Sequence, residues 1–340
     1  MLRFLSALFS SPDDDAHGVP DALLEAAIDR AVDGTDRRLR ALGNYRKHLR
    51  EPVAIAVRYL NDIVTRLPPA VEVSPKVYGG DPRLRAAFAS PNHLAEVLGQ
   101  CQTIKDFLRT CCGPPPDAIF GLLTMSLQER TVLGMEMDGD TLRRDVMQTS
   151  ISFTQHRFVA PADSERMARR ELKKRGFDFL LEKALEGIVA AKERRGSLAK
   201  NRQLLRRKLD ALKSGQWGLE HAFFEGDEYC PCVEALEADI AAIDEELGQS
   251  AGIALGLDVS LSHIAETLSR PEDWLALNPL RLNLDYRGIL QGDADATDAL
   301  ELSEISSVQG QRRIVLLGWI PRDQLPEPKD SIRLGQAYLG

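Results

Sequence analysis

Val233-Glu-Ala-Leu-Glu-Ala-Asp-Ile-Ala-Ala-Ile-Asp-Glu-Glu-Leu247 decides how this chain is read. Val233, Leu236, Ile240, Ile243 and Leu247 recur at alternating steps of three and four, the spacing of an apolar seam on a helix that pairs with another helix. Between them stand only alanines and carboxylates, and no Lys or Arg occurs between His221 and Ser250. A helix over about Cys230–Leu247 therefore carries one apolar stripe and a strongly negative exterior.

Its partner is written immediately upstream. Residues 163–213 read as one long helix or two nearly continuous ones, ~70 Å at 1.5 Å per residue. Gly176, Gly187 and Gly196 each weaken it by about 1 kcal/mol relative to alanine, so a kink is an open alternative. This stretch holds sixteen Lys and Arg against eight Asp and Glu. Leu198, Leu205, Leu209 and Leu212 supply a matching seam, with Arg202 intruding at a core-like position. A loop rich in glycine and aromatics (Gly215, Trp217, Gly218, Phe223, Phe224) joins the two helices. A connection of that kind favours an antiparallel hairpin, and opposite charges favour this partner over self-association. Exposed ion pairs contribute only ~0–1 kcal/mol each, so burial of the seam is expected to dominate.

Working outward, residues 21–127 read as helical. Leu23, Leu24, Ala27, Ile28, Ala31 and Val32 form one stripe. Leu49, Val53, Val57, Leu60, Ile63, Val64 and Leu67 form another, closed by Pro68-Pro69. Shorter helices are expected around residues 82–89, 93–98 and 104–108. Cys112-Gly-Pro-Pro-Pro116 is a hard break, and a helix over 117–127 follows it. Strand-like runs at 131–137 and 142–161 flank the turn signal Asp138-Gly139-Asp140. Others recur where Leu282, Leu284 and Tyr286 alternate with polar residues, at 300–306, and at 313–320 beyond the turn-like Val308-Gln309-Gly310. The expectation is an α+β protein, mainly α with a small antiparallel β-sheet and an inserted antiparallel helical hairpin. Its parts are a helical domain (1–127), a split sheet domain (128–162 with 275–340), the hairpin arm (163–250) and a connecting helix (251–274). Up to five strands in two groups would close into a single sheet.

Composition narrows the function classes. The chain has 340 residues, a net charge of −8 and 28% charged residues, values of a folded protein that disfavour nucleic acid as the partner of the whole molecule. Its most apolar run, Ile314-Val-Leu-Leu-Gly-Trp-Ile320, has strand length and falls far short of a membrane span. Met1-Leu-Arg-Phe-Leu-Ser-Ala-Leu-Phe-Ser10 reads as a short helix docking on the body, because a signal peptide would need a small-x-small cleavage site and a membrane anchor more basic residues. Five cysteines, with Cys111 and Cys112 adjacent and Cys230 and Cys232 one residue apart, fit a cytoplasmic chain better than a secreted disulfide framework.

Motifs for chemistry are sparse, and no cofactor is implied. Cys230-Pro-Cys232 with His221 nearby is the one candidate metal or thiol site, but it lacks the second ligand pair of a zinc module. Structural cysteines at a helix start are the favoured reading. Arg166, Arg169, Arg170, Lys173, Lys174 and Arg175 form a basic run without an evident partner, read as a solvated face or an interaction face for protein. Nucleic acid is the disfavoured alternative, since no aromatic platform accompanies the run. Asp293, Asp295 and Asp298 lack the glycine and terminal glutamate of a calcium loop. His156 and Arg157, on a strand beside hydroxyls, are the candidate polar site. The leading expectation is a non-enzymatic scaffold that presents the hairpin arm to a protein partner. Behind it stand an enzyme or small-ligand-binding protein with a site between helices and sheet, and thiol or zinc chemistry at the Cys-Pro-Cys.

Overall fold

The computed structural model describes residues 20–110, 116–138, 141–213, 233–251, 256–285, 287–291, 299–307 and 310–324. The fold is α+β. Among these residues there are eight α-helices: α1 (Asp21–Gly34), α2 (Tyr45–Arg66), α3 (Pro82–Ala87), α4 (Pro91–Gln100), α5 (Gln102–Thr110), α6 (Glu165–Lys213), α7 (Val233–Ala251) and α8 (Leu257–Ser269). The strands are β1 (Val71–Glu72), β2 (Ala118–Asp138), β3 (Thr141–Ala162), β4 (Ala276–Leu282), β5 (Leu300–Ser306) and β6 (Arg312–Pro321). No helix among the described residues is long and apolar enough to cross a membrane. The chain divides into two compact units, one of Met1–Ala56 with Asp178–Arg270, the other of Val57–Phe177 with Pro271–Gly340.

The second unit is built on one sheet of order β3-β2-β6-β5-β4, so the two groups of strands do join. Every pairing along that path is antiparallel, while β1 adds to β6 in parallel through Val71 and Glu72. At the centre, β6 is apolar without alternation because it is covered on both faces. Ile314, Leu316 and Ile320 belong to a cluster with Leu84, Phe88, Leu94 and Ile104 of the α3–α5 region. Val315 and Leu317 face the other way, packing with Ile63 and Leu67 at the end of α2 and with Leu172 of α6.

On that second face α6 lies close against α2. A Cβ on Gly176 would stand 2.7 Å from Leu60 Cδ2, so glycine here permits the close approach. The three glycines do not break α6, which runs through 49 residues. Arg169 secures the same junction. Its guanidinium donates to the carbonyls of Val64, Leu67 (3.1 Å) and Pro68 (3.1 Å), and to Glu165. These carbonyls end α2 and have no helical N–H to accept from.

In the first unit, α1 buries the stripe Leu23, Leu24, Ala27, Ile28, Ala31 and Val32. Arg30 forks onto Asp178 of α6, and Arg46 and Arg50 of α2 pair with Glu25 and Asp21 of α1. The distal part of α6 and α7 are joined by ion pairs Arg202–Asp244 and Arg206–Asp244, each 2.9 Å, and Lys213–Glu237 at 2.6 Å. Numbers rise along α6 as they fall along α7, and residues shielded from solvent follow the seams. Leu236 and Ile240 are buried and Val233 and Ile243 half-buried on α7. On α6, Leu198, Arg202, Leu205 and Leu209 are half-buried, while Arg206, Arg207 and Lys208 are exposed. Arg202 tolerates its seam position because its guanidinium reaches Asp244 at the edge.

Three expectations need correction. Residues 117–127 are not a helix; Ala118 onward forms β2, sandwiched between β3 and β6. Among the described residues there are six strands, the sixth being the two-residue β1, whose length gives no periodicity to read. The strand expected around Leu282–Tyr286 lies earlier as β4, and Leu284 makes only an isolated bridge to Leu290. Pro279 hides β4 in the sequence, and it is tolerated there because β4 ends the sheet. Several features fall outside the described residues: the segment Met1–Ser10, Cys111 and Cys112, Gly139-Asp140, the loop with Trp217, Tyr286, Asp293, Asp295, Asp298 and Val308-Gln309.

Candidate functional site

The site begins with irregularities in β3. Asp145, Gln155 and Ala160 have left-handed backbones (φ 61°, 53° and 54°), and the β2–β3 register slips by one residue at each of these places. They are β-bulges, one extra residue on β3 at each. The second has a direct consequence. Ile151 and Phe153 share the α3–α5 face of the sheet with Phe158, although Phe158 lies an odd number of positions beyond Phe153. Strict alternation would put them on opposite faces. The extra residue at Gln155 restores the facing and turns His156 toward the same side.

His156 meets the corner between α3 and α4. Its Nε2 lies 2.8 Å from the Ala87 carbonyl, so that nitrogen carries the hydrogen. The ring stacks on Phe88 (centroids 4.6 Å, planes 21° apart) and meets His93 edge-on at 5.6 Å. The corner is itself fixed locally. Ser90 caps α4 by accepting from the His93 N–H, His93 Nδ1 accepts from the Ala89 N–H at 3.3 Å, and the Tyr78 hydroxyl donates to the Phe88 carbonyl. One helix further on, Thr103 donates to the Phe158 carbonyl, which occupies an acceptor on the outer edge of β3.

Burial holds the His156 pKa below the usual imidazole value, and the neighbouring His93 adds to the effect, while the hydrogen bond to Ala87 opposes it. The neutral ring is thus favoured in the folded protein. As pH falls below about 6.5, the unfolded chain takes up this proton before the folded one does. The His156 contribution should be complete above that pH, decline below it, and level off beneath the folded-state value. Urea midpoints of wild type and His156→Gln at pH 7.5 and pH 5 check this. The gap between the two proteins should narrow at the lower pH.

Beside this cluster opens a groove of about 1060 Å³. One wall is the α3–α4 corner with Arg85, Phe88, Ala89 and His93; the other is β3 at Ile151–Phe153 with Leu284, Asp285, Arg287, Gly288 and Leu300. Gly288 and Leu290 are tied to β3 by Ile151 N–H to the Gly288 carbonyl and Leu290 N–H to the Thr149 carbonyl, both 2.8 Å. Asp285 organises its turn, accepting from the N–H groups of Arg287 and Ile289 (2.8 Å each) and from the Arg287 guanidinium. Burial alone would raise the Asp285 pKa, but these bonds together hold it below the usual range.

The candidates from the sequence are distributed unevenly. His156 sits behind the groove wall, whereas Arg157 points from the opposite face of β3 and is exposed. In the basic run Arg169 is held by the end of α2, Lys174 pairs with Glu171, and Arg166 and Arg175 are exposed. Arg170 and Lys173 are half-buried with partners of their own. Cys230, Cys232 and His221 lie outside the described residues, among which no cluster of three or more potential ligands could hold a metal ion. Phe88, His93, Arg85 and Asp285 were not singled out by the sequence. The only available signal was Ser90-Pro-Asn-His93, a helix start that puts the His93 ring back over its own cap. No family model, curated protein or solved structure matches the chain, so its function rests on the chemistry of this groove and of the paired helices.

Proposed function

We propose that the protein binds a small molecule in the groove between the α3–α4 corner and β3. The observation carrying this reading is the convergence on one groove of ligand size of the Phe88 and His93 rings with the polar groups of Arg85, Ser152 and Asp285. Cavities of this volume with a few oriented polar groups are where proteins place ligands. Filling the groove provides the test. Ala89 is exposed and lines it, so Ala89→Trp should leave the fold intact and block entry. In a thermal-shift screen of a metabolite library, compounds that raise the Tm of wild type should fail to raise that of the variant. Hits that act equally on both proteins would retire the proposal.

A specific observation supports a second reading, that α7 and the distal part of α6 form a helical hairpin arm for a protein partner in the cytoplasm. The ion pairs Arg202–Asp244 and Lys213–Glu237 satisfy the helices internally, while Arg207, Lys208 and Leu204 remain exposed on the outer surface. A chain in which residues 194–251 are replaced by a short turn should lose that partner in co-purification. Retention of every partner would count against the arm.

A further inference from the structure

We infer that the groove takes a ligand with an anionic oxygen-bearing group, a carboxylate, sulfonate or phosphate, on an apolar body; this rests on the ligand-groove reading. Donors and acceptors around the groove divide unevenly between engaged and free. Three carbonyls and the one carboxylate of its walls are already engaged, and the Ser152 hydroxyl on β3 can donate as well as accept. The Ala87 carbonyl accepts from His156, the Phe88 carbonyl from Tyr78, the Gly288 carbonyl from Ile151, and the Asp285 carboxylate from three donors.

The donors left over are a different set. Arg85 is exposed on the groove wall, and its guanidinium makes no hydrogen bond or ion pair with any described residue. His93 uses Nδ1 as an acceptor toward Ala89, which leaves its Nε2–H as a donor. A wall whose free groups donate, one of them a permanent cation with a forked set of N–H groups, matches an anionic oxygen group in charge and in geometry. The apolar part of the ligand follows from the rest of the lining, where Phe88, Ile151, Phe153, Leu284 and Leu300 supply carbon surface.

Two dyes that differ only in the anion test this directly: 1-anilinonaphthalene-8-sulfonate and N-phenyl-1-naphthylamine, which has the same rings without the sulfonate. Wild type should bind the sulfonate at least tenfold more tightly, read by fluorescence titration. Arg85→Gln should erase that margin and leave the affinity for the neutral dye within twofold. Ala89→Trp should abolish the signal of both. Equal affinity for the two dyes, or a preference for the sulfonate that survives Arg85→Gln, overturns the anion assignment; the groove reading still stands if Ala89→Trp removes the binding. Dye binding indifferent to Ala89→Trp lies elsewhere on the protein and overturns both. No binding of the sulfonate at all also overturns the anion assignment, and the library screen then decides the groove reading by itself.

Discussion

Phe88→Ala should lower the free energy of unfolding by about 3–5 kcal/mol, the range for removing a fully buried aromatic ring. Phe88 is 1% exposed and ends α3, where its N–H bonds the Leu84 carbonyl. Its ring touches both imidazoles, stacked on His156 at 4.6 Å and edge-on to His93 at 5.8 Å. Truncation therefore opens a cavity beside His156 as well as removing carbon burial. Water admitted there relieves the burial that holds the imidazole pKa low, so the His156 titration should move up toward the ordinary value. Urea denaturation measures the first effect, and an NMR titration of the His156 ring protons the second. A loss of stability under 1 kcal/mol, or an unmoved titration, would mean that the ring does not seal the cluster.

Gly121→Val is expected to be comparably severe, for the opposite reason. Gly121 on β2 lies opposite Gly318 on β6. A Cβ built on Gly121 would stand 2.5 Å from Phe158 Cε1, 2.8 Å from Cζ and 2.9 Å from the Val159 carbonyl oxygen. The phenyl ring could shift, but the carbonyl belongs to the backbone of the paired strand and has nowhere to go. A cost of about 3 kcal/mol, at the upper end for overpacking, should appear as a lowered urea midpoint. In a cycle with Phe158→Ala, the double variant Gly121→Ala/Phe158→Ala should be less destabilised than the sum of the singles, because one substitution vacates space that the other fills. Strict additivity would show that the ring is not the obstacle.

The parts of the fold legible in the sequence are those with one buried face. The stripes of α1 and α2 and the seam of α7 keep a helical period because only one side of each is covered. Residues 118–125 lost their period for the reverse reason. Ile119, Leu123 and Met125 pack on one side of the sheet and Leu122 on the other, so apolar residues follow one another as they would in a buried helix. The candidate site was legible only in His156. Its companions come from an α3–α4 corner about sixty residues upstream and a turn about one hundred and thirty residues downstream, and no local spacing links these segments. The bulge that aims His156 is equally silent, since Gln155 holds a left-handed backbone without the glycine or asparagine that usually announces one.

The β2–β3 ribbon carries a hazard of its own. β2 is paired with β6 only as far as Met125; beyond it, among the described residues, β2 has β3 alone, and its other edge is open. Leu133 (70% exposed) and Met147 (77%) face each other across this stretch. An open edge beside apolar side chains is the usual template for aggregation between chains. Glu129 and Arg130 on β2 and Arg144 on β3 set charge along the ribbon, and the bulge at Asp145 adds local twist that spoils the flat register a stacking strand requires. The bulge at Asp145 thus works against amyloid-like growth of the ribbon.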